Sequence, residues 1–118
     1  MVIGDVLQKI ITGAGVVNDK QEVESLYAEL FSYLLLQKLH ELLNEDQRSD
    51  FLKVGEELLA KNANLEIMTG FLIKAGFDKE KIERVTTEVA KQALRKTAEA
   101  FSNRISLKDM REIVREIE

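Results

Sequence analysis

One histidine, His40, is the natural starting point for any acid–base or metal chemistry in this 118-residue chain. It stands beside Glu41 and four residues before Asn44, on a stretch with helical apolar spacing. A metal site needs two or three further His, Asp or Glu ligands converging on it, held by a second layer of hydrogen bonds. Here the nearest acids, such as Glu29 and Glu41, would have to arrive by tertiary packing. A surface histidine near a helix C-terminus, where its positive form suits the dipole, is the simpler expectation. The chain holds no Cys, so thiolate ligands, cysteine nucleophiles and disulfides are excluded.

Acidic neighbours are common but poorly placed for catalysis. Glu45 and Asp46 fall in a helical first turn, where negative charge is favourable. Glu56–Glu57 and Glu22/Glu24 read as solvated faces, with no apolar pocket to raise a carboxyl pKa. Gly13-x-Gly15 follows a helix instead of a strand, and is too short for a dinucleotide loop. No nucleophile elbow or phosphate-binding loop occurs. The expectation is therefore no catalytic residue, no bound metal, no cofactor and no enzymatic activity. The basic residues Arg84, Lys91 and Arg95 are interleaved with Glu88 at helical spacing, which favours internal pairing over an anion site.

Any functional group must be positioned by helices. Apolar residues recur at i, i+3, i+4 and i+7 nearly throughout, no Asn-Gly or Asp-Gly hairpin turn is present, and there is no Pro to break a helix. The expected fold is all-α: a single-domain helical bundle over residues 1–118 of about six helices, two of them long. The spacing predicts helices over Val2–Ala14, Asp19–Leu43 (with Asn18 as N-cap), Asn44 to about Lys61, Leu65–Ala75, Asp78 to about Ser102, and a last one opened by a Ser106-x-x-Asp109 capping box. The third is expected to bury Phe51, Val54, Leu58 and Leu59. The fourth is expected to bury Met68, Phe71, Leu72 and Ala75, and the last carries Met110, Ile113, Val114 and Ile117 at helical spacing.

Gly15 and Gly76 are each followed by an apolar residue, Val16 and Phe77. Each is the pattern of a left-handed C′ glycine with a Schellman cap. An offset of 59 also aligns Asp19 with Asp78, Lys20 with Lys79, Glu24 with Glu83 and Leu35 with Leu94. This would make 1–59 and 60–118 two related three-helix halves; the alternative is that helical sequences share Glu, Lys and Leu by composition.

The two long helices differ. The fifth has one apolar stripe containing Ile82, Val85, Val89, Ala90, Ala93, Leu94, Ala98 and Phe101. Its alanines, Ala90, Ala93, Ala98 and Ala100, are expected to admit a neighbouring helix closely. The second is apolar on most sides: Val23, Leu26, Tyr27, Leu30 and Leu34 share one face, and Leu35, Leu39, Leu42 and Leu43 lie roughly 150° away. Either it is the centre of the fold or part of it meets another molecule. Tyr33, Leu35, Leu36, Leu39 and Leu43 are the candidate interaction surface.

The segment Phe71–Ile82 superficially resembles a helix-turn-helix and the Gly-Phe loop of ubiquitin-associated domains. Asp78, Glu80 and Glu83 would face phosphate in the first case, and the following helix is too long for the second. The run Leu26-Tyr27-Ala28-Glu29-Leu30, continuing through Leu39-His40-Glu41-Leu42-Leu43-Asn44-Glu45-Asp46-Gln47 to Asp50-Phe51-Leu52, resembles short uncharacterised helical domains of reduced-genome, candidate-phyla bacteria. That resemblance implies a helical fold and no particular activity.

Charge narrows the partners. The net charge is −4; residues 1–59 hold 5 basic and 11 acidic side chains (−6), and 60–118 hold 12 and 10 (+2). An acidic half argues against general nucleic-acid binding, so nucleic acid is an unlikely partner. No apolar run approaches the ~20 residues of a membrane span, and residues 1–12 lack the basic start of a secretory signal. The leading expectation is a cytoplasmic, non-enzymatic helical module that binds a protein partner or itself as a homodimer. Two alternatives remain: a nucleic-acid or nucleoprotein accessory factor using residues 74–104, and a small ligand-binding protein or enzyme with a pocket between the long helices.

Overall fold

The computed structural model describes residues 2–50, 53, 70, 72–74 and 76–118. The fold is all-α. Among the described residues there is no strand, and four α-helices have defined ends: α1 (Ile3–Ala14), α2 (Lys20–Leu42), α3 (Lys79–Ala100) and α4 (Leu107–Ile117). Residues 45–50 are also helical. The stripes expected on Phe51, Val54, Leu58 and Leu59, and on Met68, Phe71 and Ala75, lie outside the described residues.

Helix ends follow their capping residues. Gly15 takes φ 69°, ψ 27°, and the chain reverses through two hydrogen bonds: Gly15 N–H donates to Thr12 O and Val16 N–H to Ile11 O, each at 3.2 Å. Gly76 repeats the device at φ 99°, with its own N–H on Ile73 O (3.1 Å) and Phe77 N–H on Leu72 O (3.0 Å). This is the paired Schellman pattern, and both residues stand where a Cβ would be strained. Val16 is buried with Ile11.

The links that follow differ by two residues. The first inserts a 3-10 turn, Val17–Asp19, before α2 opens at Lys20. The expected start at Asn18 is therefore displaced into that turn. At the second, Asp78 Oδ1 accepts from Lys81 N–H at 2.6 Å and caps α3 directly. Asn44 and Gln47 form a reciprocal capping box, with Gln47 N–H on Asn44 Oδ1 (2.9 Å) and Asn44 N–H on Gln47 Oε1 (3.1 Å). Ser106 Oγ accepts from Asp109 N–H at 3.2 Å and starts α4.

The chain divides into two compact units, residues 1–35 with 87–118, and residues 36–86. The first is built on a continuous core in which Val6, Ile10 and Ile11 of α1 meet Val23, Leu94, Phe101, Ile105, Ile113 and Ile117, with Leu7, Leu26, Tyr27 and Met110 packed at its edge. Helices α1 and α4 pack on one another. In the second unit, Leu39, Leu43, Leu72 and Ile82 are buried.

One expectation is corrected at α3, that of Ala100. On α4, Val114 is 37% exposed. With Ile113 and Ile117 holding the core face, Val114 falls on the outer edge of the apolar arc. Ala100 is exposed, while Thr97 is fully buried within the apolar stripe of α3. Thr97 is tolerated there because its hydroxyl donates to Ala93 O at 2.7 Å, leaving no unpaired polar atom.

Candidate functional site

The acid–base candidates are dispersed. His40 is exposed near the C-terminus of α2, and its backbone carbonyl accepts a hydrogen bond from Arg48 Nε at 2.8 Å. The guanidinium thus ties down a carbonyl that the helix leaves open, a role the sequence reading did not assign. Glu22, Glu24, Glu29, Glu45 and Asp46 are all exposed. Among the described residues no group of three His, Cys, Asp or Glu side chains could hold a metal ion. Arg84, Glu88 and Arg95 are exposed on α3, with Lys91 partly buried.

A groove of about 230 Å³ lies between α1 and α4, lined by Gln8, Lys9, Thr12, Gly13, Asp109 and Glu112. Its one cation, Lys9, pairs with Glu116 on α4, Nζ to Oε1 at 2.5 Å. That hydrogen bond holds the ammonium above its ordinary pKa, aided by the carboxylates of Glu116, Glu112 and Asp5. Lys9 and Glu116 form an exposed, solvent-screened ion pair between the two helices. Gly13 lies on the floor of the groove, where a Cβ would lie 3.4 Å from Ile105 Cγ2 and 3.7 Å from Asp109 Cβ.

Those distances are ordinary van der Waals contact, and Gly13 lies in a helical turn. Gly13→Ala is expected to stabilise the protein, by up to about 1 kcal/mol from helix propensity. The urea midpoint should rise at unchanged slope; a lower midpoint would mean the α1–α4 approach is tighter than these distances indicate.

The candidate interaction surface divides sharply. Leu35, Leu39 and Leu43 are 3%, 2% and 2% exposed, so the chain itself covers them, and they are corrected from surface to interior. Leu36 is partly buried and Tyr33 is 64% exposed. What remains open on α2 is a different line. Leu26 and Leu30 are partly buried and stand at i and i+4 to Tyr33 at i+7. Leu34 and Phe31, also partly buried, widen it. Tyr27 stacks obliquely on Phe31, ring centres 6.0 Å apart, and burial raises its phenol pKa. Exposed Glu22 and Glu29 border the line on the side away from Leu34.

No protein-family model, curated protein or solved structure matches the chain. Among the described residues no helix is long and apolar enough to cross a membrane.

Proposed function

We propose that this chain is a non-enzymatic helical module that self-associates through α2. The observation that supports the reading is Tyr33, 64% exposed at the end of a line of incompletely covered leucines. A single exposed aromatic is ordinary. A run of large apolar side chains at helical spacing, rimmed by charge, is the composition of a helix–helix contact. Tyrosine suits such a face because its ring buries a large area while its hydroxyl keeps a polar partner.

The test is solution mass by light scattering on a sizing column over a dilution series. The wild-type chain is expected near twice 13.4 kDa at the concentrated end. Tyr33→Asp combined with Leu30→Asp is expected to run as a monomer with its helix content intact, because both side chains lie on the open side of α2. A wild-type chain that stays at 13.4 kDa throughout would overturn the reading.

A further inference from the structure

The offset of 59 that aligns α2 with α3 is set mainly by exposed residues: Asp19 with Asp78, Lys20 with Lys79, Glu24 with Glu83 and Glu29 with Glu88. Burial at the same offset is a separate observation, and it agrees. Val23 and Ile82, Leu35 and Leu94, and Leu39 and Ala98 are all buried. A slip of one residue would turn the two buried faces about 100° apart, so the match gives both helices one phase. At three positions α2 carries more carbon than α3: Leu30, Phe31 and Leu34 are partly buried where Val89, Ala90 and Ala93 are buried.

The turns before the two helices also correspond, at an offset of 61. Ile11 and Leu72, both 2% exposed, accept through their carbonyls the hydrogen bonds that close the Gly15 and Gly76 caps. The two extra residues of the first link account for the change of offset. They are Val17, 58% exposed, and Asn18, also exposed, so they add nothing to a core. After each long helix a further helix opens on a side-chain cap, Asn44 in one case and Ser106 in the other.

The two compact units draw on the halves reciprocally. The first buries Ile11 and Val23 from residues 1–59 and Ala98 from 60–118. The second buries the counterparts, Leu72 and Ile82 from residues 60–118 and Leu39 from 1–59. Position i of one half sharing a core with position j of the other, and j with i, is the composition of an isologous contact between identical partners. We infer that the chain is two copies of one module, residues 1–59 and 60–118, and that the buried face of each copy has the other copy as its partner. This pairing lies inside the chain and does not depend on self-association through α2.

The two links test it on the full chain, because equivalent turns are interchangeable. Deleting Val17 and Asn18 leaves Gly15-Val16-Asp19-Lys20, the order found at Gly76-Phe77-Asp78-Lys79. The variant is expected to melt within about 8 °C of wild type, with α2 now opening on a cap from Asp19. Asp19→Ala in that variant should then lower the melting temperature by about 4–8 °C, as Asp78→Ala should in the wild-type chain. In the wild-type chain, where Asp19 lies within the 3-10 turn, Asp19→Ala should lower it clearly less. Inserting Val-Asn between Phe77 and Asp78 is the reciprocal change, and it too should melt within about 8 °C of wild type. A larger drop, or loss of cooperative unfolding, in either the deletion or the insertion variant would overturn the equivalence of the halves. A deletion variant indifferent to Asp19→Ala would overturn it as well, since the shortened link would then not be the turn that Asp78 makes.

Discussion

Ile10→Ala is expected to lower unfolding stability by about 2–5 kcal/mol. Ile10 is 0% exposed and sits in one core cluster with Val6, Ile11, Leu94, Ile113 and Ile117. Those neighbours come from three helices, so no single one can close in on the void without leaving its other contacts. The loss therefore combines the transfer free energy of the deleted carbons with a cavity that relaxes only in part. Domains of this size hold about 5–15 kcal/mol in total, so the substitution removes a large share of it. Leu7→Ala, one helical turn back and only partly buried, provides the contrast and should cost clearly less. Urea titration by circular dichroism, with equal slopes for both variants, is the measurement. Equal midpoints for the two variants would contradict the packing of α1.

Features of this fold that depend on neighbours in sequence are legible in the residue types alone. Gly15, Asn44 with Gln47, Asp78 and Ser106 all sit at helix ends that the spacing marked, because a cap is a local hydrogen-bond requirement satisfied within three or four residues. Asn18 failed as a start because two extra residues after Gly15 wind first into a 3-10 turn, and nothing in the residue types distinguishes that turn from the first turn of a helix.

The buried side of α2 was not legible. Its apolar residues encircle the helix, so the sequence carries no phase from which a covered face can be read, and only packing decides that Leu35 and Leu39 go inside while Tyr33 stays out. Charge on α4 was hidden for a related reason. Lys108, Arg111 and Arg115 alternate in sequence with Asp109, Glu112 and Glu116, and separate into basic and acidic sides only when wound at 100° per residue. Thr97 escaped notice because counting apolar residues passes over a hydroxyl that bonds back to the preceding turn.

Ala93→Leu is the second large effect, and it is the reverse of a cavity. Ala93 is 0% exposed, and its carbonyl already accepts the Thr97 hydroxyl. Valine, alanine and leucine (Val89, Ala90 and Leu94) bury the same side of α3 at 2%, 2% and 0% exposure. At a fully buried position among these neighbours, three added carbons are expected to displace packed side chains or adopt a strained rotamer. The expected cost is about 1–3 kcal/mol, even though leucine is as good a helix former as most and more hydrophobic than alanine. Ala100→Leu, on the exposed side of the same helix, should change stability by no more than about 0.5 kcal/mol. The pair isolates close packing from propensity, since both exchanges are identical in chemistry. Thermal melts of the two variants against wild type make the comparison. If Ala93→Leu melted at or above wild type, the small residues of α3 would be lining unfilled space instead of admitting a close neighbour, and the stripe on Ala90, Ala93 and Ala98 would have no packing role.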